Sequence, residues 1–326
     1  MSYKTNLNLK LRKFTESDSK EFVTLQNLLY PDHLSSLESF RHHEKTRSVK
    51  IQHKHWVMEK DNAIFCSVLY TQWEEIYHPN KFVIKIYVHP DLQGRGYGAF
   101  CYDFIITELE PLDPIKMSMN VHEPHTHSVR FLEKRGFINS FKERESNLDL
   151  TIYDPKLYQD ELDSVLQPRF RLVTLSEFRK EDDRADYKTW ELECDAGPDM
   201  PSTDPITIPE FDVYKKTVIA NPKFNPDSWF IVLDGTRVVG LNNLWKNEIV
   251  KGINTGLTAV RKEYRRKSVA TALKHTGLSW AKNHGYEWVR TDNAAVNEGM
   301  LSINIRAGFK FMPAWLLFEK LLKEEK

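Results

Sequence analysis

Two stretches of the sequence carry residues whose types and spacing could do chemistry. The first is Val88-His89-Pro90-Asp91-Leu92-Gln93-Gly94-Arg95-Gly96-Tyr97-Gly98-Ala99. It follows a run rich in β-branched and aromatic residues and precedes apolar residues at helical spacing. Glycines between a strand and a helix let the backbone approach a ligand closely. The helix N-terminus adds unpaired N–H groups and a positive dipole end. With Arg95 as a fixed charge, this is a cradle for a pyrophosphate. The turn lacks the Gly-Lys-Ser/Thr ending of a P-loop. Gly94, Gly96 and Ala99 nominally satisfy a dinucleotide fingerprint. However, Pro90 to Gln93 separate the strand from the first glycine, and no acidic residue ends the next strand, 115–121, which turns the reading away from a nicotinamide-dependent oxidoreductase.

The second stretch is Val260-Arg261-Lys262-Glu263-Tyr264-Arg265-Arg266-Lys267-Ser268-Val269-Ala270. It echoes the first at a fixed distance. Val88 and Val260, Gln93 and Arg265, Trp73 and Trp245, and the pairs Gly136-Phe137 and Gly308-Phe309 all lie 172 positions apart. Matches at one offset, in one order, indicate duplication and divergence. The offset is too long for a solenoid repeat and suits two whole domains.

The elements that must position these turns follow from patterning. In the first half, residues 7–13 alternate as a strand, and 15–18 offer caps for a helix running toward residue 29. A second helix is expected at 34–44. Strands are expected at 55–59, 63–71 and 81–88, a helix at 98–108, a strand at 115–121, a helix at 128–134 and a strand at 137–147. The order is β-α-α-β-β-β-α-β-α-β. The second half repeats it, with strands at 170–174, 229–233 and 238–245, the last two forming a hairpin around Asp234-Gly235. A strand at 256–260, a long helix at 269–284, a strand at 288–291 and a helix at 300–306 complete it. The segment 194–226, with six prolines, reads as a lid or substrate wall.

The chain has 326 residues, 40% hydrophobic and 28% charged, which suits two packed domains and excludes disorder over most of its length. Lys+Arg and Asp+Glu are both 46, and this zero balance argues against a nucleic-acid specialist. Cys66, Cys101 and Cys194 form no CxxC pair, so neither a zinc ribbon nor a disulfide framework is expected. No apolar run approaches a membrane span, and residues 1–13 lack a secretory pattern. The expectation is a cytoplasmic protein, monomeric or homodimeric, without nucleic-acid or membrane partners.

The pattern Gln93-x-x-Gly96-x-Gly98 after Val-x-Pro, followed by Phe131-Leu132-Glu133-Lys134-Arg135-Gly136-Phe137, resembles the acetyl-CoA-binding motifs of the GNAT superfamily of N-acyltransferases. The second stretch resembles the same motif, and Asn297-Glu298-Gly299-Met300-Leu301 through Gly308-Phe309 resembles the family's later helix. The derived element order is also that of the family. The resemblance covers nearly the whole chain and implies an α/β fold with a mixed sheet, as two consecutive GNAT-type domains at 1–153 and 168–326 joined by a linker at 154–167.

It further implies a transfer of an acetyl group from acetyl-CoA to a primary amine of a small molecule or peptide. The strands ending at Tyr87-Val88 and at Thr258 to Val260 would pair with the pantetheine arm and splay from their parallel neighbours. Gln93, Gly94, Arg95, Gly96, Tyr97 and Gly98, and in the second half Arg265, Arg266, Lys267, Ser268, Val269, Ala270 and Asn297, would hold the cofactor. Ser268 and Ala270 stand where glycines are usual. The tyrosine that many members use to protonate the leaving thiolate is replaced by Leu132 and Asn304, and neither cofactor strand offers a carboxylate. The catalytic residues therefore remain unassigned, with Glu123, Asn297 and Asn304 as candidates. A base acting through water would come from Glu74, Glu75, Glu123, Asp199 or Asp204. Trp73, Trp245 and Asp199 are candidates for the acceptor site. His122, His125 and His127 lack metal-ligand spacing, so no metal is expected, and Cys194 reads as a structural thiol. The alternative is an acetyl-CoA-binding regulatory or structural module in which one or both halves are non-catalytic.

Overall fold

In a computed structural model, residues 10–61, 63–159, 162–163, 169–247 and 249–324 are described. They form two compact units that cut across the sequence halves. Unit 1 comprises the chain to Val121, His125–Ser140 and the chain from Leu317; unit 2 comprises His122–Pro124 and Phe141–Leu316.

Unit 1 contains β1 (Arg12–Lys13), α1 (Ser19–Leu29), α2 (Leu37–Thr46), β2 (Lys54–Lys60), β3 (Ala63–Thr71), β4 (Lys81–Val88), α3 (Tyr97–Leu109), β5 (Lys116–His122) and α4 (Thr126–Glu133). Unit 2 contains most of β6 (Ile138–Asp149), then β7 (Phe170–Thr174), α5 (Leu175–Glu181), α6 (Ala185–Ala196), β8 (Trp229–Asp234), β9 (Arg237–Lys246), β10 (Gly252–Val260), α7 (Val269–Asn283), β11 (Trp288–Ala294), α8 (Glu298–Arg306) and β12 (Lys310–Phe311). The last strand, β13 (Trp315–Leu321), serves unit 1 from Leu317 onward. The strand order in unit 1 is β1-β2-β3-β4-β5-β13, and in unit 2 it is β6-β11-β10-β9-β8-β7. Each unit thus takes one strand from the other half of the sequence. A Lys116–Glu319 ion pair at 2.7 Å joins β5 to β13, and Arg290 Nε lies 3.1 Å from buried Glu145, joining β11 to β6.

The expected strand at 7–13 is described only from residue 10 and pairs as Arg12–Lys13, and part of the expected 154–167 linker lies outside the described residues. The expected hairpin is present, with Gly235 at φ +61° between β8 and β9. Period-two alternation fixes both faces of β8. Trp229, Ile231 and Leu233 join a core with Leu175, Phe178 and Leu192, whereas Phe230 and Val232 face Val269, Leu273 and Leu278 of α7. Gly240 lets α7 lie close on β9, because a Cβ there would meet Leu273 and Val269 at 2.9 Å. Helix starts are capped as their sequences dictate. Thr174 and Glu177 form a reciprocal capping box on α5, and Ser36 accepts from the Ser39 amide on α2.

One core group is costly. Lys274 on α7 is 1% exposed, and its amine has no hydrogen-bond partner among the described residues. Burial pushes its pKa down to about 7. Unfolded, the group keeps its proton to about pH 10.5. Between those values the unfolded chain binds more protons, so this residue makes stability rise with pH. Lys274→Met is expected to raise the unfolding free energy at pH 7 by about 2–4 kcal/mol and to remove that rise. Denaturant titrations at pH 7 and pH 9.5 check both outcomes.

Candidate functional site

Each unit contains a parallel strand pair, and each of these pairs parts. In unit 1, β4 and β5 are in register only at Lys81–Lys116, Phe82–Met117 and Val83–Ser118. In unit 2, β10 and β11 are in register only at Gly252–Trp288, Ile253–Val289 and Asn254–Arg290. Beyond these points the inner edge of β4 or β10 has lost its parallel partner. The two edges differ. β4 pairs with β3 without interruption from Val83 to Val88, whereas β10 carries a register shift against β9 between Thr255 and Thr258. A bulge re-aims backbone amides. The Leu257 amide there donates to Asn243 Oδ1 at 2.6 Å, and the Thr258 hydroxyl donates to Asn242 Oδ1 at 2.8 Å. Trp245 lies against the bulge, since a Cβ on Gly256 would meet its Nε1 at 2.3 Å.

The turns after β4 and β10 have the same backbone at positions 172 apart. Gly94 and Gly96 have φ of +76° and +90°, and Arg266 and Ser268 have φ of +59° and +58°. Gln93 Nε2 donates to the Val88 carbonyl at 3.1 Å, and Arg265 Nε donates to the Val260 carbonyl at 3.0 Å. Gly96 and Ser268 are the left-handed caps of α3 and α7, and neither helix has an acidic residue in its first turn. The first amides of each helix are left for a ligand. A Cβ on Gly94 or Gly96 would meet nothing within 4 Å, so the first cradle is open. The second keeps the conformation with two L-residues in the left-handed region, which costs roughly 1–2 kcal/mol for each. Exposed Arg95 and Arg266 have no partner among the described residues and are free to meet a polyanion.

The other cations of the second cradle are committed. Arg265 also pairs with Asp199 at 2.6 Å, and Lys267 Nζ donates to the Glu263 carbonyl at 3.1 Å. Arg261, 6% exposed, donates to the Val238 carbonyl at 2.8 Å and pairs with Glu191 and Asp195 of α6. Asp199, an acceptor-site candidate by sequence, thus fastens the start of the proline-rich segment to the cradle. The Arg265 guanidinium holds its carboxyl below the usual range. Of the remaining predicted cofactor residues, Tyr97 and Gly98 open α3, while Val269 and Ala270 open α7 and pack into its core. Tyr87 is buried, with its hydroxyl 3.3 Å from Gln26 Nε2.

Sequence reasoning did not single out Glu193, a carboxylate of raised pKa. Glu193 lies on α6, which packs on β9 and β10. It accepts from the Tyr214 hydroxyl at 2.8 Å. Burial pushes its pKa up to about 7, against the opposing effect of that hydrogen bond. Tyr214 belongs to the cluster of Trp229 and Leu241, against which Trp245, Phe224 and Leu257 pack. Unit 1 presents different chemistry behind β4. Burial holds His53 down to about 4 and His55 to about 3, and it lowers Lys85 on β4. Trp73, the counterpart of Trp245, has a buried indole N–H with no partner among the described residues.

The catalytic candidates from sequence are each engaged in hydrogen bonds or ion pairs. Glu123 pairs with Lys142 at 2.7 Å and accepts from the Ala314 amide at 3.0 Å, bonds that lower its pKa. Asn297 caps α8 by accepting from the Met300 amide at 3.2 Å. Asn304 is 1% exposed and donates to Asn293 Oδ1 of β11 at 2.7 Å. Glu74 accepts from the Ser48 amide at 3.1 Å.

The profile described as "Acetyltransferase (GNAT) family" matches residues 20–137 and again 187–299. No curated protein matches the chain. Among solved structures, a tandem GNAT protein from the clavulanic acid biosynthesis pathway is 16% identical, with a TM-score of 0.74 over 98% of this chain and 100% of that one. A GCN5-related N-acetyltransferase from Sphaerobacter thermophilus is 16% identical, with a TM-score of 0.71 over 99% and 98%. A glucosamine N-acetyltransferase region of a fungal β-N-acetylglucosaminidase is 12% identical, with a TM-score of 0.71 over 97% of this chain and 38% of that one. The two cradles, each beside a parted parallel pair, and the twofold profile match place the chain in the GNAT acetyltransferase family as a tandem protein. Among the described residues no helix is long and apolar enough to cross a membrane.

The shared left-handed turns predict opposite effects of reciprocal exchanges. Gly96→Ser is expected to lower stability by about 1 kcal/mol, and Ser268→Gly is expected to raise it by a few tenths. Thermal melts of the two variants check this.

Proposed function

We propose that the protein transfers an acetyl group from acetyl-CoA to a primary amine of a small molecule or peptide, and that unit 2 performs the transfer. The observation that carries this reading is the left-handed cradle beside a parted parallel pair, found in unit 2 together with a bulged cofactor strand and a carboxylate of raised pKa. Acetyl-CoA supplies the activated thioester. Amides at the start of α7, with Arg266, would hold its pyrophosphate. The unpaired edge of β10 would take the pantetheine arm, and a bulge amide other than that of Leu257, which Asn243 holds, would face the thioester carbonyl.

Glu193 would take the proton from the ammonium or from the attacking amine. The nitrogen–carbon bond then forms as the carbon–sulfur bond breaks, and the thiolate leaves to be protonated by solvent. Neither Leu132 nor Asn304 can act as its acid. A general base works best when its pKa lies near the operating pH, which Glu193 meets. The aromatic cluster that Tyr214 shares with Trp229, against which Trp245 and Phe224 pack, favours an acceptor with an apolar skeleton.

Unit 1 is proposed to bind acetyl-CoA without turning it over. Its cradle is the more open, but β4 is unbulged and its buried histidines are too weakly basic at neutral pH.

Calorimetric titration with acetyl-CoA tests the assignment. Two sites are expected, one lost in Gly96→Trp and the other in Ser268→Trp. No binding in the unmodified protein would overturn it. For a responsive amine, kcat/KM is expected to rise with pH and level off above about 7 as Glu193 ionises. Glu193→Gln is expected to lower kcat by about 10²–10³-fold and to flatten that limb, with acetyl-CoA affinity unchanged.

A further inference from the structure

Cys66 of β3 and Cys101 of α3 are thirty-five positions apart in sequence, with no motif to join them. In unit 1 their sulfurs lie 3.3 Å apart and share a hydrogen bond, and both residues are completely buried. Their place ties them to the first cradle. Cys66 is in register with Val88, the last residue of β4. Its neighbour Phe65 accepts from the His89 amide at 2.8 Å and meets the Tyr97 ring edge-on, with centroids 5.0 Å apart. Cys101 lies in the second turn of α3, just beyond the left-handed cap Gly96. The pair therefore spans the base of the cradle, from its strand side to its helix side.

Helix and strand come close at this place in both units. Gly240 is in register with Val260 as Cys66 is with Val88, and Leu273 lies 172 positions after Cys101. A Cβ on Gly240 would meet Leu273 at 2.9 Å. Unit 2 fills the crossing with a leucine over a glycine, and unit 1 fills it with two thiols. A disulfide holds its sulfurs about 2.05 Å apart, so closing the bond asks for an approach of about 1.3 Å. The mutual hydrogen bond and burial push the Cys66 pKa well above the usual thiol range, so the closed structure holds little thiolate there and reacts slowly.

We propose that Cys66 and Cys101 are a reversible thiol–disulfide pair, which a small neutral peroxide oxidises while the unit 1 cradle is empty and which acetyl-CoA in that cradle keeps reduced. One sulfur, as thiolate, attacks a peroxide oxygen. The sulfur–oxygen bond forms, the oxygen–oxygen bond breaks, and the leaving hydroxide takes a proton to become water. The other sulfur attacks the resulting sulfenic acid. The sulfur–sulfur bond forms, the sulfur–oxygen bond breaks, and a second water leaves with the remaining thiol proton. The two thiols lose two electrons and the peroxide gains them. Because both sulfurs are buried, this chemistry proceeds from states in which the start of α3 has lifted. A ligand held by the first amides of α3 binds the seated helix and depletes those states. This gating rests on the proposed binding of acetyl-CoA by unit 1; the bridge itself does not.

The full-length protein is treated with hydrogen peroxide with and without saturating acetyl-CoA, quenched by alkylation of free thiols, and read by intact mass and peptide mapping. The expected product is lighter by two hydrogens, yields a linked Cys66–Cys101 peptide, and returns to the dithiol with dithiothreitol. Its formation is expected to be at least about tenfold slower with acetyl-CoA present. In Gly96→Trp, which blocks the unit 1 cradle, acetyl-CoA is expected to give no protection. The exposed change Arg95→Glu keeps the test decisive if Gly96→Trp does not fold, because protection then requires more acetyl-CoA. Absence of the linked peptide would overturn the proposal. So would equal rates with and without acetyl-CoA when calorimetry shows the unit 1 site filled. Calorimetry that finds unit 1 empty would instead overturn the cofactor reading and the gating with it, and the linked peptide alone would then decide the bridge.

Discussion

The structure depends on one local failure of pairing. A parallel strand pair that runs in register for three residues and then separates leaves main-chain donors and acceptors facing a gap, where they need a partner. Everything near the gap serves to keep it open while the sheet stays intact. In unit 1, β3 holds the outer edge of β4 and β13 covers β5. In unit 2, β9 holds β10 and β6 covers β11 over seven registered positions, from Trp288 to Ala294. The covering strands are needed because β5 and β11 would otherwise present a second open edge, a hazard for unintended pairing.

The same need explains the turns. A strand that ends at a gap and a helix that must point its first amides into it require a left-handed reversal between them. Unit 1 meets this with glycines. Unit 2 meets it with Arg266 and Ser268, and fixes the turn by other bonds: Arg265 to the Val260 carbonyl and to Asp199, and Arg261 to the Val238 carbonyl and to α6. These contacts connect the cradle to α6 and to the proline-rich segment. A polyanion entering the cradle meets cations already engaged by Asp199, Glu191 and Asp195, so affinity there depends on a competition absent from unit 1.

The cradles, the order of elements and the duplication were legible because they rest on local patterns: glycines between strand and helix, period-two strands and a fixed spacing of 172. The allotment of β6 and β13 was not. A strand's own sequence states that it pairs and which face is buried, and does not name its neighbour. Glu193 was missed because its pKa is set by burial and by Tyr214, twenty-one positions away in a segment read as a lid or substrate wall. Asn304 and Asn297 stand where family motifs place functional residues, and their bonds to Asn293 and to the start of α8 could not be read from sequence. Asp199 was read as an acceptor-site residue, and its position beside Arg265 appears only when the chain is folded.

The two units therefore keep one backbone device and differ in what surrounds it. Unit 2 has the bulge, the aromatic cluster and the carboxylate; unit 1 has the open cradle, a regular strand and histidines held neutral by burial. The central claim is that both gaps and both cradles receive acetyl-CoA. Hydrogen exchange of the full-length protein with and without saturating acetyl-CoA tests it most directly. The account predicts slowed exchange at amides 95–99 and 267–271 and along the parted ends of β4 and β10. Unchanged exchange at both cradles, or protection confined to other segments, would contradict it.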